Sequence, residues 1–311
     1  MPDSPENPAN PPEETPTTSP DLNTLLHSTT QALTRLRYPD AVAGHELHNY
    51  FGGRVLEHAT ADGTLLAIKV KSSTAPSAGE AAMMHYAATH NRIRAPRVRG
   101  LYDIITPASS SGRKTRRLAR AMVSERVPGV PLADVWLGMS AADQEVIKAQ
   151  LREQLACVRG CAESFIGRVG RQQVKNVYDT MGGTAYCGPF DGEEEFDEWC
   201  LGKIHGGPLV RAKWRWLLRG EREKRGGGGR FVLTHGDLTP RNIIVQGNVV
   251  TGIVDWERSG FFPEYAEYAF AMVLCHGHEE WWIPVLEELL TPCSKRRLEF
   301  TRLVEIGVVD S

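Results

Sequence analysis

The sequence predicts an α+β protein of two lobes, a small β-rich one followed by a larger, mainly helical one. Three observations carry this. Short β-type runs, with one helical run among them, fill the stretch from Tyr50 to about Val127. Pro128-Gly129 then breaks the last of these strands. Beyond it, apolar residues return at helical spacing, and two β-type runs, Phe231–Leu233 and Ile243–Val245, flank a polar loop.

Bulk properties bound the rest. A chain of 311 residues has room for one large or two medium domains, and 41% hydrophobic residues can build a core. A net charge of −2 gives no reason to expect nucleic acid or a membrane surface as a bulk partner. No run approaches the ~18 apolar residues of a spanning helix. No basic stretch followed by an apolar one opens the chain, so no secretory signal is read and a cytoplasmic protein is expected. Cys157, Cys161, Cys187, Cys200, Cys275 and Cys293 include no Cys-x-x-Cys pair and read as reduced thiols. Cys157 and Cys161, one helical turn apart, should share a packing layer. Cys275-His276-Gly277-His278 lacks the paired spacing of a zinc site.

In chain order, residues 1–20 hold seven prolines among polar and acidic residues and should be a disordered tail. An amphipathic helix is expected from Asp21 to about Arg37, opening a unit 21–127. Arg54–Glu57 and Thr64–Val70 read as strands joined through Asp62-Gly63, a good hairpin turn. Glu80 to His90 reads as a helix. Val98–Ile105 and Leu118–Val127 read as strands, joined by the Ser-rich, basic connector Thr106–Arg117. The second unit, 128–311, starts at the Pro-Gly break. Ser140 with Asp143 is a capping-box-like start, followed by Val146, Ile147, Leu151, Leu155 and Val158 at helical spacing. Glu193–Trp199 opens another helix, its acids near the positive end of the helix dipole. Lys213–Leu218 continues at helical spacing, and Gly226–Gly229 is a polar connector. Apolar helices are expected over Tyr265–Leu290 and a last packing helix over Ser294–Ile306.

The chemistry is concentrated in one stretch, His235-Gly236-Asp237-Leu238-Thr239-Pro240-Arg241-Asn242. A second apolar run, Gly252-Ile253-Val254, leads to Asp255, and a turn near Gly247-Asn248 should form a hairpin that returns Asp255 beside Asn242. Phosphoryl transfer from a nucleotide needs a carboxylate for the attacking hydroxyl and oxygen ligands that hold Mg2+ against the phosphates. Asp237, Asn242 and Asp255 supply these types at kinase-like spacing.

The stretch resembles the His-Gly-Asp-Leu-x-x-x-Asn segment of the aminoglycoside phosphotransferase-like family, which has the bilobal protein-kinase-like fold. Ser259-Gly260-Phe261-Phe262-Pro263-Glu264-Tyr265-Ala266-Glu267 further resembles the fungal-type members. The likeness runs from about residue 50 to the end. It implies ATP and Mg2+ as cofactors, with Asp237 as catalytic base and Asn242 and Asp255 as metal ligands. His235 reads as a hydrogen-bonder shaping the loop or as a proton carrier. Leu66–Val70 resembles the Val-Ala-Ile-Lys strand of kinases, which makes Lys69 the phosphate cation, Glu80 its ion-pair partner and Lys71 the runner-up. The resemblance also places the adenine on a hinge at Glu125, Arg126 and Val127, and the phosphates under the His58–Gly63 turn, although no Gly-x-Gly-x-x-Gly is present.

Gly236 stands where protein kinases carry Arg, Trp256-Glu257 stands where they carry Phe-Gly, and no Ala-Pro-Glu follows. The acceptor is therefore expected to be a small-molecule hydroxyl. The acids Glu193–Glu195, Asp197, Glu198, Glu264 and Glu267, with Trp199, Trp256, Trp281 or Trp282, suggest a cationic acceptor, aminoglycoside- or choline-like. The competing readings are an inert kinase-like scaffold and an atypical protein kinase.

Overall fold

The computed structural model describes residues 45–50, 53–71, 77–90, 92–105, 118–175, 186–226, 230–274 and 277–309. The Pro-rich tail, the helix expected to Arg37, the Thr106–Arg117 connector, Gly227–Gly229 and Cys275-His276 lie outside them.

The small lobe is an antiparallel sheet of five strands: β1 (His45–Tyr50), β2 (Gly53–Ala59), β3 (Leu65–Lys71), β4 (Val98–Ile105) and β5 (Leu118–Glu125), in the order β1-β2-β3-β5-β4. The β2–β3 hairpin and the β4–β5 pair match the strands read from the sequence. No sequence pattern marks strand β1. Its residues, His-Glu-Leu-His-Asn-Tyr, are mostly polar, and His45, Glu46 and His48 are exposed on the sheet edge. An edge strand this polar carries no alternation to read.

Helix α1 (Ser77–Thr89) packs against β4 and β5 and buries an unbroken run, Gly79 to Met84. The chain leaves the sheet after Glu125. Val130–Pro131 (β6) already pairs with Val245–Ile244 of the large lobe, so residues 126–129 make the crossing. Gly129 there has φ +113, and a Cβ on it would lie 2.1 Å from the Val245 carbonyl oxygen. Only glycine fits a backbone approach that close.

The large lobe opens with the helical turn α2 (Leu132–Val135) and the long helix α3 (Ala141–Gly160). Ser140 caps α3, its hydroxyl accepting the Asp143 N–H at 3.1 Å. Ile147, Leu151, Leu155 and Val158 are buried as their spacing requires, but Val146 points to solvent. Cys161 follows the end of α3 in an extended conformation and is buried, whereas Cys157 on the helix is only half-buried. Then come the short strands β7 (Ala162–Glu163), β8 (Val174–Lys175) and β9 (Tyr186–Cys187), and helices α4 (Glu193–Leu201) and α5 (Pro208–Lys224). Strands β10 (Phe231–Thr234), β11 (Ile243–Gln246), β12 (Val249–Ile253) and β13 (Gly260–Phe262) frame the polar loop. Helices α6 (Ala266–Leu274), α7 (Ile283–Leu289) and α8 (Lys295–Val309) complete the lobe.

One apolar core runs from Met83 and Met84 of α1 through Leu233, Trp256 and Phe261 to Phe300 of α8. A separate, smaller cluster of Leu56, Val70 and Ala121 holds the sheet. Helix α1 therefore belongs energetically to the large-lobe core, which fixes it against the loop after Asp255.

Candidate active site

The polar loop lies between β10 and β11. Gly236 has φ +80, and a Cβ would come within 2.7 Å of the Arg258 carbonyl oxygen. A kinase-like arginine cannot sit at this position without moving that backbone. His235 is 2% exposed. Its Nδ1 accepts from the Asp237 N–H at 3.3 Å, so the ring proton sits on Nε2 and is donated to the Val254 carbonyl at 3.0 Å. With both ring nitrogens engaged by backbone and the ring edge-on to Trp256, the geometry makes His235 a brace between the loop and the Asp255 strand.

Asn242 donates from Nδ2 to the Asp237 carbonyl at 2.9 Å, which leaves Oδ1 as the acceptor atom of the amide. The hairpin forms as expected, with Ile243 opposite Ile253, and the Val254 N–H donates to the Asn242 carbonyl at 2.8 Å. Asp255 is thereby set beside Asn242, in the left-handed region at φ +63. Behind it Trp256 is fully buried and its indole N–H bonds the Ile253 carbonyl at 2.8 Å, anchoring the turn. Burial, reinforced by the charge of Asp255, pushes the Asp237 carboxyl up against the pull of Arg258. A carboxylate lifted this way is a better proton acceptor than a solvated one.

Lys69 joins the lobes. Its ammonium lies 2.7 Å from Glu80 Oε1 and 2.7 Å from Asp255 Oδ1. Burial disfavours the charged lysine, but Glu80, Asp255 and Glu257 outweigh it and hold Lys69 above its ordinary range. Asp255 responds in kind: burial raises its carboxyl, and Lys69 more than reverses that. For Glu80, deepest in the cluster, burial wins and the carboxyl is raised.

Two groups that no local pattern singles out complete the cluster. Glu257 accepts from Lys71 and, at 2.7 Å, from Lys175 of β8, and stands 3.9 Å from Lys69. Burial opposes its ionisation, yet the lysines hold it well below the usual carboxylate range. Arg168, 2% exposed, donates to the carbonyls of Glu257 and, at 3.2 Å, Ser259. Its guanidinium fills the space where a side chain on Gly79 would be, 2.2 Å from an ideal Cβ, so Gly79 lets α1 close on the turn that carries Glu257. Arg168 and Lys175 sit in a region of short bridges and turns, without helical or strand periodicity to mark them.

The register of the sheet moves the expected phosphate-covering turn. The Arg126 N–H donates to Leu65 at 3.1 Å, so the β2–β3 turn at Thr60–Thr64 is at the crossover end of the sheet. Lys69 and Lys71 lie toward the opposite end, where Lys71 pairs with Gly53 and Tyr50 pairs with Gly53. The β1–β2 connection, not the His58–Gly63 turn, is therefore the one next to the lysines. The expected placement of the phosphates under the His58–Gly63 turn therefore does not hold; that expectation arose because β1 is too polar to be legible in the sequence. Glu125 ends β5, and Arg126 and Val127 begin the crossover. The N–H of Glu125 is bonded to Arg97 at 2.9 Å, and the Arg126 side chain pairs with Glu57 at 3.0 Å. Val127 is buried against Gly252.

The acids expected to form a cationic cleft are otherwise employed. Asp197 is buried between Arg222 and Arg297, the latter at 2.6 Å, and Glu193 pairs with Arg225 and with Arg297 at 2.9 Å. Glu198 pairs with Arg215, Glu194 with Arg222 at 3.6 Å, and Glu195 caps the Asp191 N–H at 2.7 Å. Glu264 lies 3.9 Å from Arg230. Glu267 is buried beneath the polar loop, accepting the N–H groups of His235 at 2.6 Å and Gly236 at 3.0 Å. Trp256 and Trp282 are core residues, Trp282 also bonding the Leu238 carbonyl at 3.3 Å. Trp199 stacks on Phe196. Composition could not separate these roles, because an acid facing a substrate and an acid facing an arginine read alike.

No curated protein matches the sequence. Among solved structures, the aminoglycoside phosphotransferase APH(4)-Ia aligns at a TM-score of 0.52 with 16% identity, covering 85% of this chain and 86% of that one. A thermostable mutant of it, in ternary complex with AMP-PNP and hygromycin B, aligns at 0.51 with 15% identity over 85% and 86%. Another, in ternary complex with ADP and hygromycin B, aligns at 0.52 with 14% identity over the same shares. These show a bilobal, kinase-like fold. Among the described residues, no helix is long and apolar enough to cross a membrane. The model of the phosphotransferase enzyme family, APH, matches residues 54–291, through both the sheet and the polar loop, and this chain belongs to that family.

Proposed function

We propose that the protein transfers the terminal phosphoryl group of ATP, with Mg2+, to a hydroxyl of a small molecule. The observation that carries this reading is the convergence of Asp237, Asn242 and Asp255 on one loop and hairpin, with Lys69 reaching Asp255 from the sheet. The sheet with α1, up to Val127, is the nucleotide lobe, and 128–311 is the catalytic and acceptor lobe. The side-chain oxygens of Asn242 and Asp255 are hard donors, neighbours across the hairpin, and they fit Mg2+. When bound, Mg2+ with ATP supplies an electrophilic phosphoryl group whose charge the metal offsets.

The residues divide the remaining work. Asp237 orients the acceptor hydroxyl and takes its proton late in transfer, a task its raised carboxyl suits. Lys69, held by Glu80, is a point charge for the α/β-phosphates. Glu125 to Val127 hold the adenine through backbone groups. His235 and Glu267 position the loop without touching the reacting atoms.

The acceptor belongs to the hydroxyl-bearing small molecules, and a cationic one, aminoglycoside- or choline-like, is the narrower proposal. Solved relatives of this fold carry AMP-PNP or ADP together with hygromycin B. Glu279 is buried in the same lobe but is itself engaged, 3.2 Å from Arg241, so it adds no support to the cationic reading. Burial raises its carboxyl, and Asp237 is close enough to add to that rise.

The test compares wild type with Asp237→Ala and Asp255→Ala in Mg2+-dependent ATP binding and hydrolysis, then screens amino sugars, amino alcohols and protein substrates as acceptors. Binding that needs Asp255, turnover that needs Asp237 and transfer to small molecules are expected. Well-folded wild type that binds no nucleotide, or that phosphorylates only proteins, overturns the reading.

A further inference from the structure

We infer that Lys71 and Lys175 bind nucleotide phosphate, and that Glu257 is the placeholder on which both rest while the site is empty of nucleotide. The inference builds on the nucleotide-site reading above. Three ammonium groups converge on Glu257: Lys69 at 3.9 Å, Lys175 at 2.7 Å and Lys71 in direct contact. They come from separate parts of the fold, Lys69 and Lys71 from one face of β3 and Lys175 from β8 of the large lobe. Against them stand Glu80, Asp255 and Glu257, whose carboxylate oxygens lie within 4.8 Å of one another. With Arg168 behind them, four positive side chains face three negative ones.

Nucleotide binding changes that charge set in one direction. A cation on Asp255 competes with Lys69 for the same carboxylate, and the phosphates bring negative charge to the same place. Lysine is a compact charge on a flexible four-carbon stem, so Lys71 and Lys175 can turn from Glu257 to phosphate oxygens by side-chain rotation alone. Both are about 30% exposed, with room for that swing. Arg168 holds the Glu257 backbone through its carbonyl, so the carboxylate can move only within the reach of its own short side chain. Lys71 also pairs with Gly53, next to the β1–β2 connection. Without a glycine-rich signature in the sequence, these two lysines supply phosphate contacts from side chains that other kinase-like sites take from backbone.

The alternative is a fixed latch in which Lys71 and Lys175 tie the lobes together through Glu257 and never leave it. Titration calorimetry on the full chain with Mg2+ separates the two, using AMP-PNP and AMP as probes and wild type, Lys71→Gln, Lys175→Gln, Lys175→Arg and Glu257→Gln as proteins, with thermal midpoints as the folding control. Each lysine-to-glutamine change should raise Kd for AMP-PNP about tenfold, the size of one lost charge-assisted hydrogen bond, with AMP affected less than about twofold. Lys175→Arg should stay near wild type. Glu257→Gln removes the competitor and should bind AMP-PNP as tightly as wild type or more tightly. If wild type binds AMP-PNP but the glutamine variants lose AMP and AMP-PNP affinity in parallel, or lose neither, the placeholder inference fails and the nucleotide site stands. Glu257→Gln weakening AMP-PNP as the lysine variants do also overturns it, in favour of the latch. Wild type that binds neither probe overturns the nucleotide-site reading and this inference with it.

Discussion

Glu267 accepts the backbone N–H of His235 at 2.6 Å, and its second oxygen takes the next N–H, that of Gly236, at 3.0 Å. One buried carboxylate thus satisfies two consecutive donors at the start of the loop that carries Asp237. Glu267→Ala would leave both donors buried without a partner, at about 1–3 kcal/mol each. A loss of about 2–4 kcal/mol in urea unfolding is expected, together with a fall in kcat. Glu267→Gln presents an N–H2 to one of the donors and should cost less than alanine but more than about 1 kcal/mol.

Asp237→Asn keeps the size and the burial of the side chain and removes the proton acceptor. Phosphoryl transfer should fall by about 10²–10⁴-fold, the usual range for a general base. Affinity for Mg2+ with AMP-PNP should remain within a few-fold of wild type by calorimetry. Equal losses in binding and transfer would assign Asp237 to nucleotide binding instead.

Gly236→Ala places a Cβ within 2.7 Å of the Arg258 carbonyl oxygen at a φ of +80. The substitution should cost about 1–3 kcal/mol in thermal or urea unfolding. The same change at Gly63, at φ +84 with nothing within 4 Å, should cost less, since only the backbone strain is shared.

Arg297 is buried against Asp197 at 2.6 Å and Glu193 at 2.9 Å, joining α8 to α4. Arg297→Met should destabilise by about 3–5 kcal/mol, because it leaves carboxylates buried with fewer countercharges. The double variant Arg297→Met with Asp197→Leu should recover part of that loss in urea unfolding. No recovery would mean that Arg222, the other partner of Asp197, is left as the costly group.

Burial pushes the Cys187 thiol up to about 12. An unfolded thiol titrates near about 8.5, so below that value both states hold the proton and this group adds no pH dependence. Between the two values the unfolded chain loses a proton that the folded chain keeps, and stability falls as pH rises. Unfolding in urea at pH 10 should be easier than at pH 7.5, with Cys187 contributing about 2 kcal/mol of the difference. Cys187→Ala should shrink the difference between the two pH values by that amount.

The sequence by itself determined the two lobes, most strand and helix positions, the cap at Ser140 and the hairpin that returns Asp255 to Asn242. Each is written within a few tens of residues, as a period, a turn signal or a spacing. Tertiary structure alone decided the edge strand β1, the placement of Lys71 and Lys175 on Glu257, the support of the loop by Glu267, and the diversion of the expected acidic cleft into arginine pairs. Lys71 and Glu257 are 186 residues apart, and Lys175 and Glu257 are 82 apart. Periodicity shows which face of an element is buried. It does not show which distant charge that face will meet, because a buried ion pair is selected by packing and desolvation once the chain has closed.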